Sequence, residues 1–255
     1  MTSVRIRELA RPAEYALAQK VAKAAWRLPD IEAPSVADLI AITHAGGLTA
    51  GAFRGRDLLG FVHGFPREIS GRRAQHSHLL AVRPDAQGLG LSKRLKLFQR
   101  EWCLARGIGL ITWTYDPLLV KNARLNLVRL RARAKNYLRD FYGRIGGIYA
   151  DLPTDRFEVF WELDAPEVRR VAAGDALPEP GLGGAGIFRR GPVPRSSRAA
   201  VEIPTGAPAL YRSDPAAARR ARLALRRRAE ALMGDGWNAT ALVLERGRAF
   251  YLFER

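Results

Sequence analysis

His76-Ser77-His78-Leu79-Leu80-Ala81-Val82-Arg83-Pro84-Asp85-Ala86-Gln87-Gly88-Leu89-Gly90-Leu91-Ser92-Lys93-Arg94-Leu95 is the stretch that decides the fold. Residues 77–82 form a short apolar run that ends just before Pro84, which reads as a buried strand. The second half opens an amphipathic helix, with Leu91, Leu95, Phe98, Trp102 and Ala105 at alternating spacings of four and three. A short connection with two glycines joins them. Strand, glycine turn and helix N-terminus together make an anion site. The first-turn N–H groups have no intrahelical partner, the helix dipole favours negative charge, and glycine lets a phosphate approach the backbone. A plain structural turn would show the same two glycines, so context has to discriminate. A Walker loop needs Lys followed by Ser or Thr after the second glycine, and a dinucleotide fingerprint needs a third glycine. Neither is present.

The 255 residues can bury a substantial core, as one large domain or two small ones. With 47% hydrophobic and 26% charged residues, the composition is that of a soluble globular protein. No apolar run approaches the roughly 20 residues that span a bilayer, and the first residues lack a signal-peptide core. Cys103 is the single cysteine, so an internal disulfide is excluded and the cytoplasm is the expected location. A net charge of +17 raises nucleic acid as a partner, but it serves equally to attract an anionic cofactor or substrate. The basic residues are overwhelmingly arginine in an alanine-rich chain, a compositional bias that weighs against nucleic acid.

Residues 4–9 alternate as a first strand, and Pro12 opens a helix that Pro29 and Pro34 interrupt. Ser35 with Asp38 looks like a capping pair for a second helix over 36–44. Residues 48–53 and 58–65 read as a hairpin. After the central strand and helix come a strand over 108–115, a helix over 122–131, and strands over 137–142 and 157–163. This order implies a mixed α/β sheet with helices on both faces. The expected domains are 1–164, a Pro/Gly-rich linker over 165–197, and a C-terminal β-α-β-β unit over 198–255 packed on the first domain.

Gln87, Gly90 and Ser92 fall on the three positions of Gln/Arg-x-x-Gly-x-Gly/Ala, and the stretch resembles the acyl-CoA pyrophosphate loop of the GNAT superfamily of N-acyltransferases. Ser92 departs from the usual Gly or Ala. Leu-Lys-x-Phe-Gln-Arg (95–100), Trp-Thr-Tyr-Asp-Pro (113–117), Asn-Ala-x-x-Asn-Leu (122–127) and Thr-Asp-Arg-Phe (154–157) look like one GNAT subgroup that continues into a second unit carrying Val-Glu-Ile-Pro, here 201–204. Some relatives of that subgroup are linked to N-acylation, including N-succinylation, of amino acids.

The resemblance implies a GNAT-like fold over roughly residues 4–163. It implies acetyl-CoA or another acyl-CoA, with succinyl-CoA as one option, as co-substrate. A small amine such as an amino acid would attack the thioester directly, without a metal. Backbone groups of Leu80, Ala81 and Val82 would hold the pantetheine arm, and a strand N–H would stabilise the oxyanion. Gln87, Gly88, Leu89, Gly90, Leu91, Ser92 and Lys93 would hold the pyrophosphate.

His76 and His78, two apart entering the strand, should face one side; they are candidate bases, or histidines satisfied structurally at the strand edge. Many GNAT enzymes place a tyrosine seven residues after the helix asparagine. Counting seven from Asn122 gives Arg129, so a cation there, or Tyr115, Tyr137 or Tyr142, would have to serve the departing thiolate. Asn122 and Asn126, four apart, either bond pantetheine amides or cap the helix. Trp113 is a substrate platform or core. Asp155 and Arg156 would read an amine and a carboxylate, or form a loop ion pair. A homodimer stays open, a membrane is not expected, and the other functional reading is a non-catalytic CoA-binding sensor or interaction module, suggested by the missing tyrosine.

Overall fold

The alternation of residues 4–8 sets the first strand of a mixed α/β fold, seen in a computed structural model that describes residues 3–143 and 152–255. The chain divides into two compact units, Met1–Trp113 and Thr114–Arg255.

The first unit holds β1 (Val4–Glu8), α1 (Pro12–Trp26), α2 (Val36–His44), β2 (Leu48–Arg54), β3 (Asp57–Ile69), β4 (Arg72–Val82) and α3 (Leu91–Leu104). β5 (Leu110–Tyr115) begins in it, and its last two residues belong to the second unit. Strands run in the order β1-β2-β3-β4-β5, antiparallel except for the parallel β4–β5 pair. Ser35 caps α2 by accepting from the Asp38 N–H, as the sequence pair suggests. Tyr15, Ala18, Val21 and Ala22 of α1 pack with Leu39 of α2 onto Phe53, Leu58, Phe61 and Ala81. Glu14, also buried, is held by Arg7 and Arg11, and the Arg7 guanidinium keeps its carboxyl well below the usual carboxylate range.

The β3–β4 hairpin is longer than its apolar residues indicate. It turns at Ser70-Gly71, with Ile69 opposite Arg72 and Glu68 opposite Arg73. These charged positions break the apolar pattern, yet backbone pairing carries both strands through them.

The second unit holds α4 (Val120–Ala123), which passes into a π-helical stretch Arg124–Arg129, then β6 (Arg133–Leu138) and β7 (Arg156–Glu162). α5 (Pro166–Ala173), β8 (Gly186–Ile187), β9 (Arg198–Ile203), α6 (Ala207–Ser213), α7 (Pro215–Gly234), β10 (Asn238–Glu245) and β11 (Arg248–Glu254) follow. The order is β7-β6-β10-β11-β9-β8, with Ala134 of β6 opposite Ala239 of β10. The stretch 165–197, read from composition as a linker, thus carries a helix and a short strand.

One buried and one partly buried ion pair clasp α7 to residues far back in the chain. Arg222 donates to both oxygens of Asp116 (3.1 and 2.9 Å), and Tyr211 donates to the same carboxylate at 2.8 Å. Four residues on, one helical turn away, Arg226 donates to both oxygens of Asp155 (2.9 and 2.5 Å). A buried pair contributes little net stability while whole, but removing one partner strands the other charge, which costs about 3–5 kcal/mol. Arg222→Met should therefore lower the unfolding free energy by about that amount in urea titrations. A loss under about 1 kcal/mol would show that Asp116 finds another partner.

Candidate active site

The site begins where β4 and β5 part. They pair at Gln75–Ile111 and His76–Thr112, and residues 77–82 have no register partner on β5. On its other edge β4 stays paired with β3 as far as Val82 opposite Gly60. One step in that ladder is irregular: Ser77 faces Gly64 and Leu79 faces His63, which leaves His78 as the extra residue of a β-bulge. Gly64 is required there, since a Cβ would stand 2.7 Å from the His76 carbonyl oxygen. Beyond the bulge Ala81 is buried in the core, while Leu80 and Val82 are half-buried.

β4 leads into a turn, Pro84–Ala86, anchored by the buried Ala86. Gly88 (φ +88°) and Gly90 (φ +70°) lie in the left-handed region, and a Cβ on either would meet nothing within 4 Å. α3 then starts with Gly90 at its N-cap, without a side-chain cap and without an acidic residue in its first turn. The helix thus begins without a side-chain cap beside two glycines with open space around them, the kind of helix N-terminus that favours an anion. Leu91 is buried and roots the helix, Ser92 and Lys93 are half-buried, and Gln87 and Leu89 are exposed. Lys93 lies in the first turn of α3, and the Arg94 guanidinium donates to the Val4 carbonyl at 2.8 Å.

Above the fork lie three histidines and Phe65. The His76 and His78 rings are 6.3 Å apart, and Phe65 stacks on His76 at 5.0 Å. Thr112 Oγ1 accepts from Arg67 at 3.0 Å and lies 3.4 Å from His76 Nδ1. His78 is exposed over more than a third of its surface, yet partial desolvation still lowers its pKa.

His63, which the sequence reading missed, is 1% exposed and its ring lies 6.5 Å from that of His78. A chain of hydroxyls assigns its tautomer. Thr43 Oγ1 donates its proton to the Leu39 carbonyl (2.8 Å), so the 2.7 Å contact between Thr43 and Thr49 uses the Thr49 proton. Thr49 must then accept from His63 Nδ1 (2.8 Å). His63 Nε2 is left as a bare, buried acceptor. A polar residue inside Gly60-Phe61-Val62-His63-Gly64 is the one signal that could have flagged it.

The other sequence candidates lie elsewhere. Trp113 is 7% exposed, with Lys96 Nζ 3.9 Å from its ring centroid, so it is core and not a substrate platform. Tyr115 is buried in the second unit and donates to Tyr251, which donates to the Pro117 carbonyl. Burial pushes the Tyr115 hydroxyl far up, so it is corrected from candidate acid to structural residue. Arg129 is exposed and lies 3.8 Å from Glu179, which already accepts from Arg124. Asn122, on α4, is half-buried and Asn126 is buried within the π-helical stretch Arg124–Arg129, which replaces most of the regular helix expected over 122–131. Asp155 is corrected too: Arg226, Tyr137 and the Asp140 N–H occupy its oxygens, leaving no room for a substrate amine. Burial alone would raise its pKa, and these bonds lower it instead. Arg156 is buried with its guanidinium 5.1 Å from the Tyr142 ring centroid.

Desolvation, aided by His78, brings the His63 pKa to about 4, against 6.5 when unfolded. A neutral folded histidine whose unfolded form protonates first gives stability that is complete above pH 6.5 and declines as pH falls toward 4. Wild type should lose up to about 3 kcal/mol more over that window than His63→Gln, measured by urea unfolding. Parallel pH profiles for the two would contradict the neutral tautomer.

No known protein family matches the chain by sequence, and no curated protein does. Solved structures do match. A protein of Desulfovibrio desulfuricans assigned to the GNAT acetyltransferase family is similar over 63% of this chain and 99% of its own, at 20% identity and a TM-score of 0.53. A protein from Salmonella typhimurium assigned as an acetyltransferase, and solved with acetyl-CoA, matches over 64% and 95% at 16% identity and a TM-score of 0.53. The ribosomal-protein-S18-alanine N-acetyltransferase of Escherichia coli matches over 62% and 92% at 15% identity and a TM-score of 0.50. With the fork, the bulge and the glycine cradle in place, the chain has the fold of the GNAT acyl-CoA N-acyltransferases.

Proposed function

We propose that this chain is an acyl-CoA-dependent N-acyltransferase that acylates a small amine, such as an amino acid, from acetyl- or succinyl-CoA. The observation that carries the reading is the continuity of an unpaired strand edge, residues 77–82, with an uncapped helix N-terminus behind Gly88 and Gly90. Acyl-CoA supplies a thioester carbonyl open to attack by an amine. The first-turn amides of α3 and Lys93 hold its pyrophosphate, and backbone groups of Leu80, Ala81 and Val82 hold the pantetheine amides. An N–H near the bulge stabilises the oxyanion, a contribution that is usually the largest in acyl transfer.

His78 is the base in this reading. The bulge presents it at the fork, and its lowered pKa keeps it neutral and able to take a proton at pH 7. The amine nitrogen bonds to the carbonyl carbon, the carbon–sulfur bond breaks with its electron pair on sulfur, and the amine proton leaves through His78. The thiolate of CoA is a good leaving group, so the absence of a tyrosine at position 129 does not block the reaction. That same absence favours the second reading, a CoA-binding module without catalysis.

Incubation with acetyl- or succinyl-CoA and pooled amino acids, followed by thiol release, separates these readings. The enzyme should release thiol, and Gly90→Asp should weaken CoA at least about tenfold in calorimetry by placing a negative charge in the cradle. CoA binding without thiol release from any donor or amine would favour the binding module. Undiminished CoA affinity in Gly90→Asp would refute the cradle.

A further inference from the structure

The fork has a brace beneath it, built from residues that the proposed chemistry does not use. Lys96 is 2% exposed and Gln99 fully buried, one turn apart on α3. Lys96 Nζ donates to Gln99 Oε1 at 2.8 Å and sits 3.9 Å from the centroid of Trp113 on β5. Gln99 Oε1 also accepts from Ser77 Oγ on β4 at 3.0 Å, and Gln99 Nε2 donates to Gln75 Oε1, also on β4, at 2.6 Å. The helix thereby grips β4 at Gln75 and Ser77 and β5 at Trp113. These residues flank His76–Thr112, the last pair before the strands part.

Two parallel strands that start in register gain backbone hydrogen bonds by zipping further, and unmet backbone groups are costly where water is scarce. In the register of Gln75–Ile111, β5 is long enough to reach residues 77–79, and keeping these open needs an opposing interaction. A buried ammonium is an expensive choice, and a leucine or methionine would fill the same volume without the desolvation cost. Unlike either apolar side chain, the lysine nitrogen donates to the amide of Gln99 while it faces the ring of Trp113. Desolvation brings the Lys96 pKa down to about 7, which expresses the cost of burying the ammonium.

We infer that Lys96 is a positioning residue which, with Gln99, holds β4 and β5 apart and sets the width of the acyl-CoA cleft. The cleft's occupant rests on the function proposed above; the brace itself does not. It also gives a physical role to the Lys and Gln of Leu-Lys-x-Phe-Gln-Arg and the Trp of Trp-Thr-Tyr-Asp-Pro.

Lys96→Met keeps the volume and removes the charge, and Gln99→Leu cuts the brace from its other side should the first variant fold poorly. The readouts are amide hydrogen exchange across residues 77–82 in the ligand-free protein and CoA affinity by calorimetry. In either folded variant the fork should close: exchange within 77–79, the reach of β5 in this register, slows about tenfold or more, and CoA binding weakens by about tenfold, while thiol release at saturating acyl-CoA changes less. Unchanged exchange at 77–79 in both folded variants would overturn the inference, since a merely structural lysine would leave it alone or loosen it. If wild type binds no CoA but exchange at 77–79 still slows in the variants, the brace stands and the acyl-CoA reading falls.

Discussion

Strands that begin paired tend to stay paired, so the parting of β4 from β5 after His76 and Thr112 has to be imposed. Much of the first unit can be understood as imposing it. β3 runs antiparallel beside β4 for the whole length of the fork and supplies the support that β5 withholds. α1 and α2 press on the core at Phe61 and Ala81, fixing the far side of the same strand. The bulge at His78 adds twist at the step where pairing fails, and the buried Gln99 of α3 bonds to Gln75 and Ser77 of β4 on either side of the last paired residue. The result is a strand edge that β5 leaves unpaired, leading through a glycine turn to a helix N-terminus.

The same parting explains where chemistry can occur. A strand edge without a partner offers fixed N–H and C=O groups whose spacing suits an extended chain of amides. The loop after it offers charge complementarity at low steric cost, because Gly88 and Gly90 have positive φ and open space above them. The histidines sit at the mouth of the fork, and His63 shows how local the electrostatics are. Its proton position is dictated by Thr49 and Thr43, and burial keeps it neutral. His78, the extra residue of the bulge, is far more open to solvent than His63.

Residues 76–95 made the strand, turn and helix legible because each is a local pattern: an apolar run, two glycines, a four-three stripe. Capping by Ser35 and the start of α1 at Pro12 were legible for the same reason. What was not legible depends on partners distant in sequence. The parting of two strands leaves no mark in either strand's composition, and His63 gains meaning only when β3 is laid beside β4 with a bulge. Asp155 and Tyr115 looked available because their partners, Arg226 and Tyr251, lie 71 and 136 residues away. The regular helix expected over 122–131 has no breaker to warn against it, yet it forms a π-helical stretch. Lys96, Gln99 and Trp113 were visible as a motif, but their reason for being there was not.

The central claim is that one continuous surface, from the open edge of β4 to the first turn of α3, binds CoA. Backbone amide chemical shifts recorded during a CoA titration test it directly. The account predicts that shifts in the first unit concentrate at residues 79–82 and 87–93, with β1, β2 and α1 barely moved. Saturable binding that leaves the 87–93 amides in place would contradict it.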